Sequence, residues 1–344
     1  MKNIYELTFP ELDAELRELG AKPFRSKQIW QWVWQKGSTA FENMSNIGKE
    51  LREVLAKQFL IKRPELFSIK TSPDTTCKLL LELEDKNLIE TVLIPERDHY
   101  TLCISTQVGC PLECRFCSTG KMGFIRNLSA GEILTQILIA RDYLQTTFAQ
   151  FPLRNIVFMG MGEPLLNWEQ VKRALYVIRD REGLNFSYRR VTLSTVGVPE
   201  KLQEFAETGL GSLAVSLHAP QQELREQIMP KAAQMFPLEQ LINALKDLPL
   251  RSRQRITVEY ILMKDTNESL HHAKNLNRIV STFPSKINLI SFNPDPEIPF
   301  KPPSREDVLQ FERYLWEKNQ AVFLRKSKGE DIKAACGQLQ NEYS

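Results

Sequence analysis

The sequence contains no stretch of about 18 consecutive apolar residues, the length needed to span a bilayer. Its first twenty residues lack the apolar core of a signal peptide and instead carry acidic side chains, among them Glu6, Glu11 and Asp13. Internal repeats and low-complexity segments are also missing. These absences exclude a membrane-spanning chain and predict a soluble protein of the cytoplasm.

The charge imbalance is small. The 344 residues carry 45 lysines and arginines against 42 acidic residues, a net charge of +3, which does not prove a nucleic-acid partner. The basic residues nevertheless form local clusters, at Arg189–Arg190, at Arg251, Arg253 and Arg255, and at Arg325, Lys326 and Lys328. Each cluster is either an ordinary solvated face or a phosphate-binding site.

Residues 1–62 have the pattern of a small helical domain. One amphipathic segment begins at Phe9, and a second begins at Ser26, a candidate N-cap before the apolar residues Ile29 and Trp30. The segment is either a plain helical core or an RNA-binding accessory domain. Residues 63–98 follow, where apolar runs at 78–83 and 88–94 flank a polar turn, which predicts a β-hairpin linker.

Residues 99–326 alternate between strand-like and helix-like segments. Such alternation predicts a parallel sheet with helical crossovers, and the number of units favours an α/β fold of the partial (β/α)6-barrel type. Its active site is expected at the carboxyl ends of the strands. A tail, residues 327–344, follows the last strand. The predicted strands are 101–106, 155–160, 191–196, 213–218, 256–262, 287–293 and 321–325.

Three of the six cysteines lie within eight residues, with the spacing C-x3-C-x2-C: Cys110, Cys114 and Cys117. They follow the first predicted barrel strand, so three thiolates can converge on one soft-metal site. A [4Fe–4S] cluster takes four ligands, and three cysteines would leave one iron open to a small molecule. A zinc site, completed by His99 or Cys103, is the alternative. The motif resembles that of the radical S-adenosylmethionine (SAM) superfamily, in which the open iron binds SAM.

Polar residues lie at the ends of successive predicted strands. Glu163 follows two glycines that allow close approach of a ligand, and its carboxylate can accept a hydrogen bond from the SAM ammonium group. Ser194, Ser216, His218 and Asn293 end later strands. Each alone is an ordinary polar residue at a strand end, but together they suit a SAM pocket.

Nearly the whole chain resembles the RlmN/Cfr family of radical SAM RNA methyltransferases. The most discriminating similarity is the segment 331–339, because a general radical SAM enzyme needs no lone cysteine such as Cys336 so close to its end. The other similar segments are 24–30, 90–95, 103–110, 117–124, 160–165, 193–197, 216–218 and 293–294.

The resemblance implies a role for each cysteine outside the cluster motif, except Cys77. Cys336 would be methylated by one SAM, and a radical made from a second SAM would activate that methyl group for addition to an adenine. Cys103 would then release the RNA by forming a disulfide with Cys336, so residues 329–339 are expected to fold back over the barrel mouth or to be mobile enough to do so. Without the resemblance, Cys103 is a buried strand thiol. Glu90 would be the proton acceptor, and Glu163, Pro164, Ser194, Ser216, Leu217, His218 and Asn293 would bind SAM.

Three functions follow from the resemblance. The first is methylation of adenine C2 in 23S rRNA and in a tRNA anticodon loop, the second is C8 methylation of the Cfr type, and the third is RNA binding without catalysis. The intact set of cysteines and Glu90 argues against the third, and the N-terminal helical segment favours the first. The expected cofactors are a [4Fe–4S] cluster and SAM. The expected partners are 23S rRNA, tRNA and an electron donor such as flavodoxin or ferredoxin, with the enzyme acting as a monomer.

Overall fold

The computed structural model describes residues 1–340. The first sixty residues are mainly helical, as the sequence predicts, and form a third helix beyond the two whose starts were predicted; a short parallel strand pair joins the two ends of this segment. The predicted start of the second helix at Ser26 is wrong: the helix begins at Pro23, whose missing N–H costs no hydrogen bond at a first helical position. The elements are β1 (Lys2–Asn3), α1 (Phe9–Glu18), α2 (Pro23–Trp34), α3 (Lys49–Gln58) and β2 (Phe59–Leu60).

The chain then enters a ten-stranded sheet. The strands are β3 (Glu65–Thr71), β4 (Cys77–Glu82), β5 (Leu88–Pro95), β6 (Tyr100–Cys103), β9 (Leu153–Phe158), β10 (Val191–Thr195), β11 (Ser212–Ser216), β12 (Ile256–Leu262), β13 (Ser285–Ser291) and β14 (Val322–Arg325). Their order across the sheet is β14-β13-β12-β11-β10-β9-β6-β5-β4-β3, and the seven strands at the β14 end of this order, as far as β6, are parallel to one another.

Helices connect the parallel strands and cover the sheet. The longest, α5, begins at the capping box that the sequence predicts: Ser129 accepts from the N–H of Glu132, and the Glu132 carboxylate accepts from the N–H of Ser129. The helices are α4 (Ser118–Lys121), α5 (Ala130–Thr147), α6 (Trp168–Arg179), α7 (Pro199–Thr208), α8 (Gln222–Ile228), α9 (Pro230–Met235), α10 (Leu238–Lys246), α11 (Leu270–Val280) and α12 (Arg305–Glu317).

All seven predicted barrel strands are present, with ends that differ by up to three residues. Strand β12 is buried throughout and the middle residues of β11 and β13 are buried, as expected of parallel strands covered on both faces, whereas β14 at the edge of the sheet exposes three of its four residues. Within residues 1–340 the two edge strands, β3 and β14, do not pair with each other, so the barrel is partial. The side chains of the parallel strands and of α5, α6 and α7 form one large apolar core.

The hairpin predicted between 78 and 94 is present as β4 and β5. A third strand, β3, which the sequence analysis did not predict, pairs antiparallel with β4, and β5 pairs antiparallel with β6. The hairpin therefore continues the barrel sheet directly, and it places Glu90 beside the first parallel strand.

The N-terminal helices pack closely on α5 and α6. The indole N–H of Trp30 donates to Asp180 Oδ2 at 2.7 Å, just after α6, and Arg173 of α6 donates to the Glu11 carboxylate at 2.7 Å. The Ser129 hydroxyl donates to Glu6 Oε1 at 2.6 Å. Because buried aromatics and charged pairs both cross this boundary, the N-terminal segment stabilises the barrel as well as extending it.

None of the helices among residues 1–340 combines the length and apolar character needed to cross a membrane.

Candidate active site

A cavity of about 450 Å³ lies at the carboxyl ends of the parallel strands. Ten of the thirteen residues that the sequence predicts for the site line it, although they come from positions as far apart as 103 and 336. They are Cys103, Cys110, Cys114, Cys117, Glu163, Ser194, Ser216, His218, Asn293 and Cys336. Glu90, Pro164 and Leu217 do not line it.

The cysteine loop is held between two short antiparallel strands, β7 (Gln107–Gly109) and β8 (Phe124–Asn127). Gly109 has φ +73°, and a Cβ there would lie 1.8 Å from the carbonyl oxygen of Gly123, so only glycine fits. The Cys110 N–H donates to that same carbonyl at 2.9 Å. The close approach of these strands thus closes the base of the loop.

The three cysteines form a donor set of soft sulfur atoms in a buried setting. Burial raises the pKa of all three thiols, that of Cys110 to about 12, while backbone N–H groups of the loop donate to the sulfurs of Cys110 and Cys117 and act in the opposite direction. Such N–H groups would stabilise thiolates once a metal had displaced the protons. In the part of the chain that is described, no group of three His, Cys, Asp or Glu side chains is arranged to hold a single metal ion.

Glu163 is a buried carboxyl that backbone donors fix in place. Oε1 accepts from the N–H of Leu165 and Oε2 accepts from the N–H of Val196, both at 2.9 Å. Burial raises the pKa of Glu163 to about 7 against the effect of these donors and of Thr195. A cationic ligand in the cavity would favour the charged carboxylate.

His218 is held in an uncommon backbone conformation, with φ +52°. Its Nδ1 accepts from the N–H of Ile261 at 3.2 Å, and its ring meets the ring of Phe116 edge-on at 4.9 Å between centroids. Burial, with the nearby Arg225, lowers the pKa of His218 to about 3. The ring is therefore neutral, and since Nδ1 accepts a hydrogen bond the proton lies on Nε2.

The C-terminal tail folds back across the cavity, as the sequence analysis expects. Hydrogen bonds spanning more than forty positions tie it to the end of the cysteine loop and to the segment just after β13. They are Ser118 N to Gly337 O (2.7 Å), Thr119 Oγ1 to Leu339 O (2.6 Å), Asn293 Nδ2 to Cys336 O (3.2 Å) and Gln338 Nε2 to Pro294 O (3.0 Å).

Cys336 is thereby placed in the same cavity as the cysteine motif. Cys336 lines the cavity. Burial raises the pKa of its thiol, and Arg325 acts in the opposite direction. Burial, and secondly the neighbouring Cys336, raise the pKa of Cys103 far above its usual value. All six cysteines are free, so the expected disulfide between Cys103 and Cys336 is not formed in this structure.

Glu90 lies beneath the tail, outside the cavity lining. Its Oε1 forms an ion pair with Lys78 Nζ at 2.9 Å, and both side chains are only 3% exposed. Its Oε2 accepts from the N–H of Gln340 at 3.0 Å, and Lys78 donates to the carbonyl of Lys333 at 3.2 Å. The Glu90–Lys78 pair therefore holds the backbone of the tail at two positions.

The sequence analysis missed two buried charged residues at the site. Arg225 of α8 is fully buried and donates to the carbonyls of Leu217 and Val196, at 2.9 and 2.8 Å, which fixes the ends of β10 and β11. Glu259 of β12 lines the cavity and accepts from Asn288 at 2.9 Å; burial raises its pKa. A charged residue inside an apolar strand such as 256–262 was the available signal for Glu259.

The three basic clusters lie at opposite ends of the parallel strands. Arg325, Lys326 and Lys328 line the cavity. The other two precede β10 and β12, at the amino ends of those strands, where the Tyr188 ring lies between Arg189, at 5.6 Å, and Arg251, at 4.9 Å. Of the three clusters, the first therefore lies at the cavity.

The Radical SAM superfamily sequence model matches residues 104–276, which include the cysteine loop and the parallel strands β9 to β12. A crystal structure of a radical SAM methyltransferase from Sphaerobacter thermophilus has the same fold, with a TM-score of 0.92 and 37% identity, covering 98% of this chain and 99% of that one. These matches place the chain among the radical SAM enzymes.

Residues 2–61 match the model described as the ribosomal RNA large subunit methyltransferase N-terminal domain. The chain is 50% identical to a dual-specificity RNA methyltransferase RlmN from Nitratidesulfovibrio vulgaris, covering 98% of this chain and 95% of that protein. It is 48% identical to the protein of the same name from Lawsonia intracellularis, with coverage of 100% and 98%. The chain belongs to the RlmN family of radical SAM RNA methyltransferases, and it is an enzyme.

Proposed function

We propose that the enzyme methylates C2 of an adenine in 23S rRNA and of an adenine in a tRNA anticodon loop, with Cys336 as the methyl carrier and two SAM molecules consumed per turnover. The observation that carries the proposal is the placement of Cys336. Hydrogen bonds from Asn293 and Ser118 hold its segment in the cavity that also contains the three cysteines of the loop.

The residues present fit both expected cofactors. Cys110, Cys114 and Cys117 would hold a [4Fe–4S] cluster, and three thiolates leave the fourth position to SAM. Glu163, with Pro164, Ser194, Ser216, Leu217, His218 and Asn293, would form the SAM site; Pro164 and Leu217 would act through their neighbours, since their side chains do not line the cavity. When bound, the cluster and SAM would supply an electron, a methyl group and a carbon radical.

Cys336 and Cys103 would act on the methyl group and on the RNA. Adenine C2 is electron-poor and does not act as a nucleophile, so it cannot attack the methyl group of SAM directly. A carbon-centred radical can add to C2 without such a nucleophile. The methylene carbon of the carrier would join the Cys336 sulfur to C2, and the electron left over from radical addition would pass to the cluster. The Cys103 thiol, once deprotonated, would attack the Cys336 sulfur, so that a disulfide forms, the sulfur–carbon bond breaks and the released carbon takes up a proton to become the methyl group. Glu90 would accept the proton from C2. Its contact with Gln340, four positions beyond Cys336, supports a role close to the carrier.

RNA would be bound by exposed cations and aromatics. Phe24 is 51% exposed, and the Arg25 guanidinium lies 4.8 Å from its ring centroid, so residues 1–62 would act as an RNA-binding accessory domain beside the barrel of 99–326. The Arg325 cluster would contact phosphates at the mouth, and the target base would leave its stack to enter it. We place the enzyme in the cytoplasm as a monomer, supplied by a one-electron donor.

Mass spectrometry of nucleosides from rRNA and tRNA tests this proposal. Cells with the gene should contain 2-methyladenosine in both rRNA and tRNA. Cells that lack the gene, or that carry Cys336→Ala, should contain 2-methyladenosine in neither RNA. 8-Methyladenosine in place of the C2 product would contradict the assignment and indicate the Cfr-type activity. Unchanged nucleosides in all three strains would refute the proposed function.

A further inference from the structure

The outer side of the cysteine loop carries a second, shallower cavity of about 390 Å³. It is lined by Glu113, Cys114, Arg115, Gly120, Lys121, Gly123 and Pro299. Cys114 is the one residue that lines both this depression and the inner cavity. The loop is therefore a thin wall, and Cys114 spans it from the outer surface to the candidate cluster site.

Cations outnumber acids around this depression. Arg115 is exposed and forms no ion pair with any of residues 1–340. Lys121 contacts the carbonyl of Glu297 and lies 3.9 Å from its carboxylate, and Lys231 pairs with Glu113 at 2.5 Å. Lys301, just after Pro299, is also exposed. Four cations thus face two acids, and the surface attracts a negatively charged partner.

Two large apolar side chains lie beside these cations. Phe124 is 45% exposed and Ile125 is 59% exposed, and both directly follow Gly123 at the edge of the depression. Adjacent exposed apolar residues next to charged ones are a feature of protein interaction sites. We call Arg115, Lys121, Phe124, Ile125 and Lys301 the outer loop surface.

We propose that the outer loop surface docks a small acidic protein that donates one electron. The inference rests on the proposed function, which requires one electron for each reductive cleavage of SAM. In the docking step one electron passes from the donor to the cluster, the donor is oxidised by one equivalent, and no bond or proton changes. Cys114 gives that electron the shortest route from the surface.

An RNA partner fits this surface less well. The target base has to reach Cys336, which faces the inner cavity, and the cations that line that cavity are Arg325, Lys326 and Lys328. An electron donor does not have to enter the cavity. Weak electron-transfer complexes bury less than about 1,200 Å² in total, so such a partner needs only a small contact surface.

Binding and turnover of charge variants test the docking site. The variants are Arg115→Glu and the pair Phe124→Ser with Ile125→Asn. Arg313→Glu, an exposed arginine on α12 with no ion pair recorded among residues 1–340, is the matched control. The probe is a flavodoxin, whose dissociation constant for the reconstituted enzyme is measured at several salt concentrations. Methylation is measured in parallel with flavodoxin and with dithionite as reductant, and RNA affinity is measured separately.

We expect Arg115→Glu to weaken flavodoxin binding by about three- to tenfold and to reduce its salt dependence, because a charge at the rim of an interface governs association. The apolar pair should weaken binding comparably, and dithionite-driven methylation and RNA affinity should match the Arg313→Glu control. Unchanged flavodoxin affinity in both variants would overturn the proposal, as would a loss of RNA affinity alone. The flavodoxin dissociation constant is measured without turnover, so it tests the docking site alone. If the unaltered enzyme fails to methylate RNA with dithionite, that result contradicts the proposed function and not the docking site.

Discussion

Glu90 Oε2 accepts a hydrogen bond from the backbone N–H of Gln340 at 3.0 Å, while its other oxygen pairs with the buried ammonium group of Lys78 at 2.9 Å. A single carboxylate in the hairpin is thus bonded both to the sheet beside it and to the tail that carries Cys336. The proposed proton acceptor therefore also has a structural role, and the two roles can be separated by experiment.

Glu90→Gln should lower the free energy of unfolding by about 3 kcal/mol, because it leaves the Lys78 ammonium buried without its counter-charge. Adding Lys78→Met should restore much of this stability but no methylation, since the proton acceptor would still be missing. Denaturant unfolding and a methylation assay measure the two effects. Glu82→Gln is the matched control: its partner Lys86 is 77% exposed, so the free energy of unfolding should change little. Activity in the double variant would rule out the catalytic role.

Cys103→Ala and Cys336→Ala should fail in different ways. Without Cys103 the RNA adduct on Cys336 cannot be released, so a protein–RNA cross-link should accumulate and be visible on a denaturing gel. Without Cys336 neither cross-link nor product should form. Cys77→Ala is the control, since Cys77 is buried in β4 away from the cavity, and it should turn over normally. Normal turnover of Cys103→Ala would exclude the release mechanism.

Anaerobically reconstituted protein should bind about four irons and four sulfides per chain and be brown. Cys114→Ala should lose the colour, whereas Cys77→Ala should keep it. Metal analysis and the visible absorption spectrum decide between the alternatives. One tightly bound zinc per chain in a colourless protein would mean that the cysteine loop is a zinc site.

Gln338→Ala should loosen the tail without damaging the rest of the site. The Gln338 amide donates to Pro294 O at 3.0 Å and accepts from the N–H of Ala335 at 3.2 Å, and each hydrogen bond contributes about 1 kcal/mol. Hydrogen exchange should quicken over residues 329–340, and methylation of Cys336 should slow. Gln320→Ala, which removes side-chain hydrogen bonds after α12, is the control and should change neither. Unaltered exchange in Gln338→Ala would show that other contacts hold the tail.

The buried His218 should make stability depend on pH. Its pKa is about 3 in the folded protein, lowered by burial and Arg225, so between pH 6.5 and 3 the unfolded chain binds a proton that the folded chain does not. Stability is therefore lost as the pH falls through this window. His218→Gln should reduce the slope of unfolding free energy against pH between 6.5 and 5 by about one proton. An unchanged slope would show that the ring is protonated in the folded state.

Local patterns were sufficient for much of this fold. The apolar runs of the parallel strands and the Ser129 capping box are encoded within a few residues of each other, so the strands, the start of α5 and the strand-end position of Glu163 follow from the sequence. The start of α2 was misplaced because Ser26 has the composition of a cap, while Pro23 has the stronger conformational preference for the first turn.

Other features depend on contacts between distant parts of the chain. Strand β3 is largely exposed and has a bulge near Ser68, so its apolar and polar side chains do not alternate in the way that marks a strand. No local pattern places Cys336 beside Cys103, and only the family resemblance anticipated that meeting. No local pattern around Arg225 indicates that its side chain is buried and donates to backbone carbonyls at the ends of two strands.

Cys114 lines both the inner cavity and the outer depression, and this has a consequence for handling the protein in air. A wall one residue thick gives dioxygen the same short path that it gives an electron, so a cluster on this loop is open to oxidative attack from outside even when substrate RNA covers the mouth.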